Sequence, residues 1–165
     1  MLVFNNINCM KKIKRIIKNF CKFENLDFNS IAEIFKTLHT ESIHSSMWKN
    51  DYALHSTFEI RNVQRHEMFF SLYKKFNDFY NVPKYHGSNL DIFFSFAPGT
   101  SSIAHSDSYD VGILAAHNDV VVRVNDEKYI LNSGDLITIY AKEPHQVIGI
   151  DPRIILSFGH TPMEK

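Results

Sequence analysis

The chain has 165 residues, 18 Lys plus Arg against 18 Asp plus Glu, and 44% hydrophobic residues, which suits one compact domain whose core needs no disulfide or metal staple. No uninterrupted apolar run approaches the roughly 20 residues of a membrane span, and zero net charge supplies no chain-wide field for phosphate backbones. A membrane-spanning protein and a general nucleic-acid binder are therefore disfavoured.

The charge is uneven along the chain. Residues 1–23 carry Lys11, Lys12, Lys14, Arg15, Lys18 and Lys22 with no acid, which leaves the remainder at −6. Lysines interrupt the apolar residues here, so a signal peptide is not read. Ile13, Ile17, Phe20 and Cys21 share one face at helical spacing and predict an amphipathic helix that packs on its own domain or on a second subunit. Contact with a membrane surface or nucleic acid is the alternative. Cys9 and Cys21 form no CxxC pair, which fits a reducing, cytoplasmic setting.

A second helix is expected from Ser30-Ile31-Ala32-Glu33, a capping sequence followed by Ile34, Phe35 and Leu38, ending between His39 and Ser42. A third is expected from Asn62 to about Tyr80, on Val63, Phe69, Phe70, Tyr73, Phe76 and Phe79, and must stop before Pro83. The four phenylalanines read as core. The stretch His44 to Glu59, with Trp48 and Tyr52, takes no clear assignment: the two aromatics read first as core, and as an aromatic, partly polar segment beside a pocket mouth they could instead wall a substrate site.

After Pro83 the pattern changes to short β-rich runs between Gly, Pro, Asn and Asp. Eight runs are expected: 91–97, 101–105, 111–116, 120–124, 128–131, 136–140, 146–150 and 153–158. Asn125-Asp126 marks a hairpin and Ser133-Gly134-Asp135 a tight turn. The fold class is thus mainly β with N-terminal helices (α+β), a jelly roll of about eight strands covered by about three helices. It is organised as one domain, with a helical part over 1–82 packing on a β core over 83–165.

Nine histidines make a metal search worthwhile. His105-Ser106-Asp107 places an imidazole and a carboxylate two residues apart, so on an extended strand both point the same way. HxD alone is weakly specific, because His117-Asn118-Asp119 repeats it. A third ligand discriminates: His145 follows a turn and a strand and opens the next strand. About four strands and their turns must fit between HxD and that histidine, or very roughly 30 to 40 residues. His105 lies 40 residues before His145 and His117 only 28. The candidate ligands are therefore His105, Asp107 and His145, two imidazoles and a carboxylate that leave coordination positions open, while His117 reads as a strand-end residue. His160, near the C-terminus, reads as a surface residue.

The stretches Phe96-Ala97-Pro98-Gly99-Thr100, His105-Ser106-Asp107, Asn132 to Tyr140 and Pro144-His145-Gln146-Val147 together resemble the cupin-like, JmjC-related branch of the Fe(II)/2-oxoglutarate oxygenases, over about residues 90–160. The resemblance implies a double-stranded β-helix, an Fe(II) centre, and oxidative decarboxylation of 2-oxoglutarate to succinate coupled to hydroxylation of a second substrate. Many relatives of this kind hold the distal carboxylate of 2-oxoglutarate with a lysine on the fourth strand, but here that strand reads Val120-Val121-Val122-Arg123-Val124. Other members use an arginine on the eighth strand, eight to ten residues beyond the distal histidine, and Arg153 lies eight beyond His145. A guanidinium suits the task, since its fork binds a carboxylate through two hydrogen bonds. Arg153 is the expected anchor and Arg123 the reserve.

No Gly-x-Ser-x-Gly elbow, nucleophile signature or phosphate-binding glycine loop is present, which leaves metal chemistry as the mechanism with several consistent residues. The expected function is an Fe(II)- and 2-oxoglutarate-dependent oxygenase acting on a small molecule, amino acid or peptide side chain, with a pocket complete in one chain or completed in a homodimer. Two alternatives stay open: a metal-dependent cupin, such as an isomerase, epimerase or dioxygenase without 2-oxoglutarate, and a non-catalytic jelly-roll module that binds a ligand.

Overall fold

Strand β11 (Arg153–His160) is buried along nearly its whole length because both of its faces are covered. The computed structural model describes residues 15–23, 26–37, 43–45, 57–83, 87–100 and 103–160. In chain order these form β1 (Ile16–Ile17), α1 (Phe28–Thr37), β2 (Ile43–Ser45), β3 (Thr57–Ile60), a 3-10 turn (Val63–Arg65), α2 (Glu67–Tyr80), β4 (Ser88–Ser95), β5 (Gly99–Thr100), β6 (Asp110–His117), β7 (Val120–Val124), β8 (Glu127–Leu131), β9 (Leu136–Ile139), β10 (His145–Gly149) and β11. The strands build a seven-stranded sheet, β1-β9-β6-β11-β4-β3-β2, and a four-stranded sheet, β5-β10-β7-β8. Every pairing is antiparallel. The mainly β, two-sheet class expected from the sequence is the class found.

The alternation of side chains on each strand generates two cores. Ile154, Leu156 and Phe158 of β11 join Leu114 of β6, Ile92 of β4 and the helix residues Phe69, Leu72 and Phe76 on the outer face of the large sheet. Ile155 of β11 joins Val111, Ile113, Val120, Val122 and Val147 between the two sheets. Phe158 stacks on Phe76 at 4.9 Å and on Tyr80 at 5.5 Å between ring centroids. Gly112, paired with Phe158, makes room for Tyr80, since a Cβ there would lie 2.4 Å from its hydroxyl oxygen.

The third helix forms where its spacing predicted, with the 3-10 turn leading into α2. His66 caps α2 by accepting from the Met68 amide, and Asn81 ends it in the left-handed region at φ 52°. Phe69 and Phe76 are fully buried and Phe79 packs against the core, but Phe70 is 66% exposed. Phe70 directly follows Phe69 and so points about 100° around the helix, away from the sheet. The second helix starts earlier than expected: Asp27, not Ser30, supplies the capping oxygen, accepting from the Ser30 amide and hydroxyl, each at 2.9 Å. The Asn125-Asp126 turn joins β7 to β8, with Asn125 at φ 54°, and Gly134 takes φ 95° in the turn before β9.

The N-terminal expectations need correction. Residues 15–23 are not helical: Ile16 and Ile17 pair with Ile137 and Leu136, and Asn19 turns the chain at φ 52°. The free edge of β9 offers hydrogen bonds that a marginal, lysine-rich helix cannot match, and paired isoleucines favour a strand. The part over 1–82 therefore contains two α-helices among its described residues and contributes three strands to the large sheet. Two of them, β2 and β3, fall in or beside the stretch left unassigned. Ile13, Cys9, Trp48 and Tyr52 lie outside the described residues. Of the run expected at 101–105, residues 101 and 102 lie outside the described residues, residues 103–105 form no regular strand, and His105 makes an isolated bridge to His145. His160 is buried, not on the surface, with its ring 4.9 Å from that of Tyr80. Among the described residues no helix is long and apolar enough to cross a membrane.

Phe158→Ala should cost about 3–5 kcal/mol of stability by emptying the aromatic stack. Ile130→Ala, at a residue 62% exposed, should stay within about 0.5 kcal/mol of wild type. Denaturant midpoints compare the two directly.

Candidate metal centre

Two chain segments meet where β10 begins. His105 and His145 exchange both backbone hydrogen bonds, His105 N to His145 O at 3.0 Å and His145 N to His105 O at 2.7 Å. Residues paired in this way project their side chains to the same face, and the rings lie 4.5 Å apart between centroids. Asp107, two residues along an extended segment, returns to that face. Its backbone is tied down separately, because the Lys142 amide donates to the Asp107 carbonyl at 2.7 Å.

The ring orientations follow from local hydrogen bonds. The His105 Nδ1 lies 3.0 Å from the Ile103 carbonyl and the His145 Nδ1 lies 3.1 Å from the Glu143 carbonyl. A carbonyl only accepts, so both Nδ1 atoms carry the proton and both Nε2 lone pairs are left to face the site. The two Nε2 atoms are 4.0 Å (His105) and 3.5 Å (His145) from Asp107 Oδ2. All three donor atoms fall within 4.8 Å of one another. Atoms about 2.0–2.2 Å from one ion on adjacent coordination positions lie roughly 3–4 Å apart, a range that both nitrogen–oxygen distances meet, so the two imidazoles and the carboxylate have the donor types and near the spacing of a divalent-metal site. His145 is buried and His105 exposed, which leaves the open side of the set towards solvent and the cavity.

The three residues stand at the mouth of a cavity of about 320 Å³. Val111, Ile113, Val147, Ile155 and Phe93 form its apolar wall between the sheets. Glu59, Arg61, Asn89, Asp91, Tyr109 and Ser157 supply the polar remainder. Arg61 pairs with Glu59 at 3.0 Å, and Asp91 accepts from the Asn62 amide at 2.8 Å. Burial pushes the Asp91 carboxyl above its usual range. These polar positions were not read from the sequence. The available signal was the two-residue alternation of β4 and β11, which places Asn89, Asp91 and Phe93 opposite Gly159, Ser157 and Ile155 once the pairing is known.

The two arginines differ in position. Arg153 is 1% exposed and shares the inner face of β11 with Ile155 and Ser157, but unlike them it does not line the cavity. Its side chain runs beside Gly149, where a Cβ would come within 1.9 Å of Nη1, and Nη1 reaches towards the Ala97 carbonyl at 3.5 Å. Burial draws the pKa of this guanidinium below its usual value. Arg123 does not reach the interior. Val120, Val122 and Val124 take the inward positions of β7, and alternation turns Arg123 out, where it bonds the Asn125 carbonyl and lies 3.6 Å from Asp126. His117 ends β6, as expected of a strand-end residue, with its ring against Phe28.

No protein-family model and no curated protein matches the sequence. Solved structures do. The ribosomal oxygenase YcfD from Escherichia coli superposes with a TM-score of 0.70 at 17% identity, over 91% of this chain and 48% of YcfD. YcfD in complex with cobalt and 2-oxoglutarate gives 0.71 at 16% identity, over 91% and 48%. Its complex with cobalt and succinic acid gives 0.70 at 17%, over 91% and 48%. The two proteins share a fold. At this identity the likeness is one of architecture, and the chain spans about half the length of YcfD. The cupin-like double-stranded β-helix implied by the sequence resemblance is the architecture found.

Burial, reinforced by the neighbouring His105, lowers the pKa of His145 against the opposing pull of the Glu143 carbonyl and Asp107. A histidine whose folded pKa is depressed costs nothing above its ordinary value of about 6.5 and destabilises the fold as pH falls below it. Metal-free protein should therefore lose stability as pH falls below about 6.5, and His145→Gln should flatten that loss. Urea midpoints across the range would show it, and an identical slope in the variant would assign the effect elsewhere.

Proposed function

We propose that the chain is a metal- and 2-oxoglutarate-dependent oxygenase, with Fe(II) held by His105, Asp107 and His145. The observation that carries this reading is the convergence of their three donor atoms within 4.8 Å at the mouth of a cavity, in a fold shared with an oxygenase crystallised with cobalt and 2-oxoglutarate. When bound, the metal and cosubstrate would supply oxidative decarboxylation to succinate coupled to hydroxylation of a substrate C–H bond.

The protein's part is to hold and orient. The carbonyls of Ile103 and Glu143 fix both imidazoles with Nε2 forward, and the Asp107 carboxylate offsets part of a divalent charge. Arg153, on the inner face of β11, is the group suited to the distal carboxylate of the cosubstrate, since an interior guanidinium binds a carboxylate by a two-pronged, charge-assisted contact. The apolar wall of Val111, Ile113, Val147 and Ile155 excludes water from the reacting centre. A cavity of about 320 Å³ suits a small molecule, an amino acid or one peptide side chain as primary substrate.

A second reading has one observation in its favour. Neither candidate anchor lines the cavity, since the inward residues of β7 are valines, Arg123 faces out and Arg153 is not among the lining residues, so a metal-dependent cupin that works without 2-oxoglutarate also fits. Anaerobic addition of Fe(II) and then 2-oxoglutarate separates the two. The visible charge-transfer band of the ternary complex should appear in wild type, vanish in His105→Ala and Asp107→Ala, and need roughly 10- to 100-fold more 2-oxoglutarate in Arg153→Met. Iron binding without the band would favour the second reading, and no metal binding would sink both.

A further inference from the structure

The turn between β9 and β10, Tyr140 to Pro144, touches two of the three candidate ligands, Asp107 and His145, through its backbone. The Lys142 amide donates to the Asp107 carbonyl at 2.7 Å, and the Glu143 carbonyl lies 3.1 Å from His145 Nδ1. His145 in turn carries His105 through the two-bond bridge. The turn is strained, with Lys142 at φ 69°, and glycine's absence there means other contacts must hold it. Part of the hold is internal: the Glu143 carboxylate accepts from the Tyr140 amide at 2.8 Å.

The rest comes from the far end of the chain. Arg15 binds the Glu143 carboxylate with both prongs, Nη1 to Oε2 at 2.5 Å and Nη2 to Oε1 at 2.8 Å. Its Nη1 also donates to the Thr138 carbonyl at 3.0 Å, and its guanidinium lies 5.2 Å from the Tyr140 ring centroid. The Thr138 amide donates to the Arg15 carbonyl at 2.8 Å, so backbone and side chain grip the same place. Both side chains of the pair are about three-quarters shielded, at 28% and 22% exposed, where a two-pronged contact outperforms an open surface ion pair.

We infer that Arg15 is a positioning residue for the metal centre: it clamps Glu143, and through the Tyr140–Pro144 turn it fixes the rotation of His145 and the placement of Asp107. The inference rests on the metal reading above. A purely structural role is the competing account, in which Arg15 only fastens the N-terminal strand to β9. Lys18 provides the contrast. It fastens the same segment through Asp135 at 2.7 Å, at the start of β9 and away from the ligand-bearing turn.

The test is calorimetric titration of Co(II) into metal-free full chain, with the visible Co(II) spectrum recorded for each variant. Arg15→Ala should weaken Co(II) binding by about 10- to 100-fold, the range for groups that orient metal-binding histidines, and should alter the spectrum. Arg15→Lys should recover part of the affinity, since it keeps the charge but loses the fork. Lys18→Ala should bind within about twofold of wild type. Wild-type affinity in a folded Arg15→Ala would overturn the clamp, as would an equal loss in Lys18→Ala. If Arg15→Ala fails to fold, Glu143→Gln decides the matter by the same criteria. Failure of wild type to bind Co(II) would instead remove the metal reading on which the clamp depends.

Discussion

Two backbone hydrogen bonds between His105 and His145 make the candidate site. His105 belongs to no regular strand and His145 is the first residue of β10, so without this bridge the two imidazoles would hang from unrelated segments. With it they occupy paired positions on one face, and Asp107 joins them by the two-residue period of extended chain. The fold's contribution is to bring these segments together. β10 is fixed from one side by β7 and from the other by β5, and residues of β4, β6, β10 and β11 line the cavity beside the bridge.

The site tolerates little slack, because donor atoms must stay within a few tenths of an ångström of a coordination geometry. Each ring is therefore held twice, by the backbone bridge that pairs the two histidines and by a carbonyl two residues upstream. The place of Arg153 is built with the same economy of space: Gly149 lets its side chain lie flat along β10. A substitution of Gly149 would displace a buried cation, and a displaced buried charge is among the costlier changes a fold can suffer.

The three ligand-type residues were legible because strand spacing is nearly constant. HxD followed after 40 residues by a histidine at a strand start is a geometric statement about four strands and their turns, and it separated His105 from His117 without any structure. The β core after Pro83 was legible for the same reason, through alternation and turn residues. What failed depended on long-range partners. Ile16 and Ile17 sit in a sequence with helical spacing, yet the open edge of β9 drew them into a strand, and no local signal announces a vacant edge more than 100 residues away. Asp27 was overlooked as a cap because Ser30 offered a more familiar pattern three residues later. Arg123 was kept as the reserve anchor because it lies on the strand where relatives of the resembled family carry a lysine, although alternation with Val120, Val122 and Val124 already turned it outward. Arg15 and Glu143 lie 128 residues apart, and only the folded chain pairs them.

The metal reading requires a single divalent ion between His105, Asp107 and His145. Crystals of Co(II)-loaded protein, with data collected on both sides of the cobalt absorption edge, would locate the ion without reference to activity. The expected result is one anomalous peak about 2.0–2.2 Å from both Nε2 atoms and from an Asp107 carboxylate oxygen. A peak elsewhere, such as beside Glu59 and Asp91 at the opposite lip of the cavity, or no peak at full cobalt loading, would contradict the claim.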